Sequence, residues 1–193
     1  MTIAAPTTTG RVPWPAGGTR RVLFLDRDGV VNANHGYVHR AEDTEWVPGI
    51  FDLGRRALAL GFELIVVTNQ AGIARGLYTE EVFRRYTRWV HEQFEREQAP
   101  LLATYHCPHH PEAGNGAYLM ACRCRKPAPG MLLRAGADWD VDLPASLLVG
   151  DQPSDVQAAQ AAGVGHWVRI ASLDLTSAIA RLEALAPATP APR

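Results

Sequence analysis

The chain has only one lysine: 18 of the 19 basic residues in this 193-residue sequence are arginines. It has no apolar stretch long enough to span a membrane, and residues 1–18 lack the charged and apolar segments of a signal or transit peptide. Basic and acidic residues nearly cancel, with a formal net charge of −1, so no broad basic surface indicates nucleic-acid binding. We therefore expect a cytoplasmic monomer that binds neither nucleic acid nor membrane.

Cysteine is also scarce, and all three cysteines fall between residues 107 and 124. An odd number of cysteines grouped with histidines favours a metal site in a reducing compartment over a disulfide framework. Cys107, Cys122 and Cys124 with one imidazole would supply the ligands of a closed, tetrahedral zinc site. Three neighbouring histidines compete for the fourth position: His106, His109 and His110.

Short apolar runs alternate with helical patterns along the chain. Strands are predicted at 22–25, 64–67, 101–105, 147–149 and 167–170, and helices at 48–60, from 79 onwards, 129–138 and 154–162. This alternation predicts a single α/β domain over residues 20–185, built on a doubly wound, mostly parallel sheet. Residues 106–125 are predicted to form the zinc loop, and the ends at 1–19 and 186–193 are expected to be disordered.

Polar residues follow three of the predicted strands. Asp26 and Asp28 follow the first, Thr68 and Asn69 the second, and Asp151 a later one. Ligands of doubly wound sheets bind at these carboxyl ends. Paired carboxylates can divide the roles of nucleophile and proton donor, and a further carboxylate favours magnesium beside a substrate phosphate.

The lone lysine, Lys126, fits the same chemistry. Its compact ammonium can neutralise both a nucleophilic carboxylate and a phosphoryl group, while the donors at positions 68 and 69 would bind the other phosphoryl oxygens. Because Lys126 lies two residues after Cys124, we expect zinc binding to fix the position of this lysine.

Four segments resemble, in order, the motifs of haloacid dehalogenase (HAD) superfamily phosphatases: residues 25–31, 67–69, 126–127 and 149–155. The resemblance implies a HAD-like fold without a large cap domain. It further implies that Asp26 is the nucleophile that forms an aspartyl-phosphate and that Asp28 is the general acid and base, with Thr68 and Lys126 also catalytic. Mg²⁺ would bind Asp26, the backbone carbonyl of Asp28 and Asp151, while Asp155 would orient its neighbours.

Residues 34–39 and 68–76 are similar to those of the D-glycero-D-manno-heptose-1,7-bisphosphate 7-phosphatase family. This resemblance selects His109 as the zinc ligand. It implies substrate contacts at Asn34, His35, Gly36, Tyr37, Thr68, Asn69, Gln70, Ala71, Arg125 and Lys126, to which we add Gln152. The expected reaction is hydrolysis of the 7-phosphate of a phosphorylated sugar, the heptose bisphosphate. The alternatives are hydrolysis of histidinol phosphate or another small sugar phosphate, and a zinc-containing binding module without catalysis.

Gln152 departs from the family pattern, which commonly has lysine directly after the fourth-motif aspartate. Glutamine retains hydrogen-bonding capacity but loses the positive charge. Substrate affinity, anomer preference and substrate identity are therefore open at this position.

Overall fold

The computed structural model describes residues 6–8 and 19–186. Its strands are β1 (Thr7–Thr8), β2 (Arg21–Leu25), β3 (Phe62–Asn69), β4 (Ala103–Cys107), β5 (Leu147–Gly150) and β6 (His166–Arg169). Its α-helices are α1 (Ile50–Ala59), α2 (Ala71–Ala74), α3 (Glu80–Arg96), α4 (Gly130–Trp139), α5 (Pro153–Ala162) and α6 (Thr176–Glu183). A 3-10 turn at Gly116–Tyr118 lies within the predicted zinc loop.

The strands form one sheet in the order β1-β4-β3-β2-β5-β6. Strands β2 to β6 are parallel to their neighbours, and β1 is antiparallel to β4. The chain moves outwards from β2 in both directions, so the carboxyl end of β2 lies where the strand order reverses, the usual ligand site of such sheets. The prediction of a doubly wound, mostly parallel α/β fold is confirmed.

The core lies on both faces of this sheet because successive side chains of a strand point to opposite faces. Leu23 and Leu25 of β2 pack in a cluster with buried residues of α1, α3 and α6. Val22 and Phe24 pack in a second cluster with buried residues of α4 and α5. Burial on both faces explains why these strands are continuous apolar runs in the sequence.

Helix α3 begins where its sequence predicts. The Thr79 hydroxyl accepts a hydrogen bond from the backbone N–H of Val82, and Glu80 and Glu81 lie in the first turn. A threonine cap and early acidic residues both offset the exposed N–H groups and positive end of a helix. The helix therefore holds a fixed position beside the loops that lead to the site.

Three elements were absent from the sequence-based prediction: β1, α2 and α6. Thr7 and Thr8 pair with Thr104 and Ala103, so these two residues differ from the disordered end expected for 1–19. The rest of that expectation, at 1–5 and 9–18, lies outside the described residues, as does 187–193. Among the helices of the described part, none combines the length and apolarity needed to cross a bilayer.

Candidate active site

The fold brings the predicted catalytic residues to one edge of the sheet. Asp26, Thr68 and Asp151 lie at the ends of β2, β3 and β5, and Lys126 enters from the segment before α4. Asp26, Thr68 and Lys126 line a cleft of about 460 Å³, a size suited to a small ligand, and Asp151 lines a neighbouring cavity. The cleft is lined by Asp26, Asp28, Asn34, Gly36, Tyr37, Thr68, Asn69, Gln70, Ala71, Tyr78, Arg125, Lys126, Gln152, Ser154 and Asp155.

One of the two carboxylate oxygens of Asp26 is held by contacts with other protein groups. Its Oδ1 lies 2.8 Å from Lys126 Nζ and accepts the backbone N–H of Arg27 at 2.7 Å. Oδ2 has no hydrogen bond to the described residues, so it is available to a ligand in the cleft. Burial raises the pKa of Asp26 to about 7, and nearby Asp155 adds to the rise while Lys126 opposes it.

The ammonium of Lys126 is buried and makes three contacts. Nζ lies 2.8 Å from Asp26 Oδ1 and 2.7 Å from Asp155 Oδ1, and it donates to the Val67 carbonyl at 2.8 Å. Burial alone would lower the pKa of Lys126, but the two carboxylates raise it above its ordinary value. The side chain is therefore a fixed positive charge directly beside the proposed nucleophile.

The carboxylate of Asp155 is engaged by the Lys126 ammonium and by the protein backbone. It is almost fully buried, and its Oδ2 accepts the backbone N–H of Gln152 at the start of α5. One carboxylate thus caps the helix and pairs with Lys126. These contacts are those of a residue that orients its neighbours.

Asp28 is held from three sides. Arg27 Nη2 donates to both carboxylate oxygens at 2.8 Å, Asn32 Nδ2 donates to Oδ1 at 3.1 Å, and Gln70 Nε2 donates to Oδ2 at 3.0 Å. Arg27 also donates to the Val38 carbonyl. The guanidinium therefore links the predicted acid–base residue to the loop that carries several predicted substrate contacts.

Thr68 and Asn69 have different environments. The Thr68 hydroxyl accepts from Gln70 Nε2 at 2.8 Å and retains its hydrogen for an oxygen in the cleft. The Asn69 side chain instead pairs with the backbone of Lys126, donating to its carbonyl and accepting its N–H, both at 3.0 Å. Asn69 thus holds the backbone of Lys126, and only its second amide hydrogen remains for a ligand.

The acidic end of the cleft fits a hard divalent cation. One oxygen each from Asp26, Asp151 and Asp155 lie within 4.8 Å of one another. Asp151 Oδ1 is buried with no hydrogen-bond partner among the described residues, and burial raises the pKa of this carboxyl. Gly29, at φ 98°, allows the close approach, since a Cβ there would lie 2.5 Å from Asp151 Oδ2. Mg²⁺ would offset the repulsion among these oxygens.

The four predicted zinc ligands converge as a second group. Cys107, His109, Cys122 and Cys124 place one ligand atom each within 4.8 Å of the others, and the closest pairs are 3.3–3.7 Å apart. Tetrahedral ligands with Zn–S bonds of about 2.3 Å lie about 3.8 Å apart, so the arrangement fits zinc with little adjustment. The contact between Cys107 and Cys124 lowers the pKa of the Cys124 thiol and raises that of the Cys107 thiol, because the two groups share one proton.

The two competing histidines lie elsewhere. His106 is buried against the Phe83 ring, and His110 Nδ1 accepts the backbone N–H groups of Glu112 and Ala113. Only His109, of the three, faces the cysteines. Its carbonyl also accepts from Arg125 Nη1 at 3.3 Å, which connects the cluster to the residue directly before Lys126.

Most of the predicted substrate contacts line the cleft, but His35 does not. Its Nε2 lies 2.8 Å from Glu45 Oε2 on the surface, and its side chain faces a neighbouring cavity. Gln152 lines the cleft while its Nε2 donates to Asp151 Oδ2 at 2.7 Å. The amide of Gln152 therefore contacts a carboxylate that would bind metal, in the position where a lysine was expected.

Sequence reasoning missed three residues of the site: Arg27, Tyr78 and Ser154. Arg27 could have been noticed, because an arginine between two acidic residues directly after a buried strand has carboxylates within reach. Tyr78 lies between α2 and α3 and reaches the cleft only through the fold, and Ser154 merely lines the wall. No local pattern singles out either of them.

Comparisons with known proteins agree with this geometry. A sequence model described as HAD-hydrolase-like matches residues 123–167. A D-glycero-α-D-manno-heptose-1,7-bisphosphate 7-phosphatase of Burkholderia mallei is 53% identical over 154 residues, which cover 80% of this chain and 82% of that protein. The D-glycero-β-D-manno-heptose-1,7-bisphosphate 7-phosphatase of Escherichia coli K12 is 46% identical over 148 residues, 77% of this chain and 78% of that one.

A solved structure is also similar. The crystal structure of D,D-heptose 1,7-bisphosphate phosphatase from B. bronchiseptica, complexed with magnesium and phosphate, has a TM-score of 0.72 and 29% sequence identity. The match covers 85% of this chain and 98% of that one. From the fold, the cleft and these similarities together, the chain belongs to the D-glycero-D-manno-heptose-1,7-bisphosphate 7-phosphatase family of HAD-like hydrolases.

Proposed function

We propose that this protein hydrolyses the 7-phosphate of D-glycero-D-manno-heptose 1,7-bisphosphate. The observation that carries the proposal is the Asp26 carboxylate, with Oδ1 held by Lys126 at 2.8 Å and Oδ2 free towards the cleft. A buried carboxylate that is oriented but not fully hydrogen-bonded is suited to attack phosphorus. The family membership supplies the sugar bisphosphate as substrate.

The reaction divides between two carboxylates. Asp26 Oδ2 attacks phosphorus, the bond from phosphorus to the sugar O7 breaks, and Asp28 gives its proton to that departing oxygen. Asp28 then takes a proton from water, which attacks the aspartyl-phosphate and releases inorganic phosphate and Asp26. Lys126 and the Thr68 hydroxyl stabilise the charge on the phosphoryl oxygens in both steps.

Mg²⁺ would be held by Asp26, the backbone carbonyl of Asp28 and Asp151. When bound, it neutralises phosphoryl charge and orients the phosphate for in-line attack. The Gln152 amide keeps Asp151 turned towards this position through its 2.7 Å hydrogen bond. Zinc would be held by Cys107, His109, Cys122 and Cys124 in a site closed to substrate.

The proposed substrate contacts lie around the mouth of the cleft. Asn34, Gly36 and Tyr37 line the cleft, as does Arg125, which is next to Lys126 in the chain. Arg125 offers a guanidinium suited to a phosphate. His35, which pairs with Glu45 outside the cleft, would need to turn before it could touch a ligand.

Phosphate release from a panel of substrates tests the proposal. The two named relatives act on opposite anomers, so both anomers of the heptose bisphosphate should be compared with histidinol phosphate in the presence of Mg²⁺. We expect kcat/KM for the preferred heptose anomer to exceed that for histidinol phosphate by at least about 100-fold. A preference for histidinol phosphate would overturn the substrate, and no activity on any phosphate would favour a non-catalytic binding module.

A cytoplasmic location, a monomeric state and the absence of nucleic-acid and membrane partners remain predictions. Three thiols within 3.3–3.5 Å of one another support a reducing compartment, because they would oxidise readily elsewhere. Light scattering of the purified protein would test the monomer directly.

A further inference from the structure

Gln70 is buried in the wall of the cleft, and its side chain is fully engaged by the protein. Nε2 donates to Asp28 Oδ2 at 3.0 Å and to Thr68 Oγ1 at 2.8 Å. Oε1 accepts the hydroxyl of Tyr78 at 2.6 Å. Both amide hydrogens and the oxygen therefore serve residues of the site, and the side chain has little left for substrate.

These contacts fix which way the amide of Gln70 points. Asp28 Oδ2 accepts from both Arg27 Nη2 and Gln70 Nε2, so the NH₂ group of the Gln70 amide faces this oxygen. The amide oxygen then faces Tyr78, whose hydroxyl donates to it. If the Tyr78 hydroxyl were removed, the amide oxygen would lose its buried partner, and the Gln70 side chain would be held less firmly against Asp28.

Tyr78 itself is held firmly. The side chain is 7% exposed, and its ring stacks on His39 with centroids 4.5 Å apart. A Cβ at position 72 would lie 2.3 Å from this ring, so Gly72 provides the space that the tyrosine occupies. The hydroxyl is therefore held towards Gln70 by the stacking on His39 and by the close approach of the ring to Gly72.

We propose that Tyr78, acting through Gln70, is a positioning residue for Asp28. The chain of hydrogen bonds from Tyr78 through Gln70 turns the Asp28 carboxylate to the place where it can protonate the leaving oxygen. His39 belongs to the loop that carries the predicted contacts at 34–37, so the same chain ties that loop to the acid–base residue. The inference rests on the proposed phosphatase reaction and adds two residues to it.

The test uses Tyr78→Phe, which keeps the ring and its stacking but removes the hydroxyl. General acid catalysis matters for an alkyl or phenyl phosphate, whose leaving oxygen needs a proton, and much less for 4-nitrophenyl phosphate. We expect kcat/KM to fall about 10- to 100-fold for the heptose bisphosphate and for phenyl phosphate, within the contribution of about 10²–10⁴-fold usual for general acid–base catalysis. For 4-nitrophenyl phosphate we expect a fall of less than about twofold.

Tyr86→Phe is the matched control. Tyr86 is also a buried tyrosine whose hydroxyl has one partner, Thr44 Oγ1 at 2.9 Å, and its ring lies beside the Arg27 guanidinium. Removal of this hydroxyl should leave the ratio of phenyl to 4-nitrophenyl phosphate rates unchanged. A second variant, Gln70→Glu, would place a carboxylate against Asp28 and should lower the phenyl phosphate rate further than Tyr78→Phe does.

The outcomes separate this inference from the proposed function. If the wild type cleaves aryl phosphates but not the heptose bisphosphate, the substrate is wrong, and the aryl series still measures the role of Tyr78. If Tyr78→Phe slows all substrates equally, Tyr78 is only structural and the inference is overturned. A wild type that cleaves no phosphate overturns both.

Discussion

The acidic cleft and the cysteine cluster each gather groups suited to one cation, but they are assembled in opposite ways. The cleft draws Asp26, Thr68 and Asp151 from the ends of three strands, so their spacing depends on the whole sheet. The four ligand residues of the cluster lie between 107 and 124, largely on a loop whose one regular element is a 3-10 turn. The sheet determines the geometry of the cleft, whereas a metal bound at the cysteine cluster would itself stabilise the loop that carries the cluster.

The two sites also differ in how complete they are. Each sulfur of the cluster lies within 3.3–3.5 Å of another, so one ion would fill it and leave no position for substrate. In the cleft Asp151 Oδ1 and Asp26 Oδ2 lack hydrogen bonds to the described residues. A closed set is typical of structural metals, and an open one is typical of catalysis. The difference predicts that the sites will respond differently to substitution.

The largest expected effect is that of Asp26→Asn on the cleft alone. The amide cannot attack phosphorus, so kcat should fall on the order of 10⁴-fold or more. The sheet and the cysteine cluster should be untouched, with about one zinc per chain retained. Phosphate release and metal analysis of the same preparation measure both quantities.

Asp52→Asn is a suitable control for this change. Asp52 is partly exposed on α1 and pairs with Arg56, so its loss should alter neither quantity. Retained turnover in Asp26→Asn would mean that another residue is the nucleophile. Loss of zinc in Asp26→Asn would mean that a change in the cleft also disturbs the cysteine cluster.

Cys122→Ser should affect both sites. Without one thiolate, zinc content should fall towards zero and Tm should drop by several degrees, because a structural zinc site contributes folding free energy. Activity should also fall, since the loop holds Arg125 and Lys126 next to the cluster. Metal analysis, thermal unfolding and steady-state kinetics would show whether loss of zinc lowers activity. In Asp26→Asn, by contrast, loss of activity should leave the zinc bound.

Ala121→Ser is the matched control in the same loop. It adds a hydroxyl at an exposed neighbouring position without removing a ligand, and it should behave as wild type. Normal kcat in a zinc-free Cys122→Ser protein would contradict the proposal that zinc positions Lys126.

A smaller effect is expected on the pH dependence of stability, through His91 of α3, which contacts strand β4. Burial lowers the pKa of His91 to about 4, and its Nε2 lies 2.8 Å from Thr104 Oγ1 of β4. Between pH 6.5 and about 4 the unfolded chain binds a proton that the folded protein excludes. The contribution of His91 to the free energy of unfolding should therefore decrease as the pH falls through this window, by at most about 3 kcal/mol, whereas the raised pKa of Asp26 acts in the opposite sense over an overlapping range.

His91→Gln, which can keep a hydrogen bond to Thr104, should flatten that dependence. Denaturant unfolding at several pH values measures it. An equal slope in the variant would assign the acid sensitivity to other groups. Asp26→Asn removes the opposite contribution of the buried carboxyl, so in that variant the free energy of unfolding should fall more steeply as the pH decreases.

The strands, and the polar residues that directly follow them, could be predicted from the sequence. Runs such as residues 22–25 and 64–67 are apolar without alternation because both faces of the sheet are covered, and a polar residue directly after such a run must lie at the sheet edge. Asp26, Thr68 and Asp151 were placed in this way. No strand precedes Lys126, which was singled out as the lone lysine two residues after Cys124 and then matched to a known motif.

Other features depend on contacts that no local pattern encodes. Strand β1 has two residues, too few for any periodicity, and the four-residue α2 has the same difficulty. The hydrogen bonds from Tyr78 through Gln70 to Asp28 join residues from three separate segments. The Asn69 side chain, expected to face phosphate, instead holds the backbone of Lys126, which only the fold could reveal.

The balance of charge in the cleft bears on the order in which ligands enter. With every group ionised, the carboxylates of Asp26, Asp28, Asp151 and Asp155 outnumber the cations of Arg27, Arg125 and Lys126 by one. A net negative site repels a phosphate dianion, whereas one bound divalent cation would make the net charge positive. Substrate affinity should then be low until the cation is in place, and the cell's free magnesium concentration would set the fraction of molecules ready to bind.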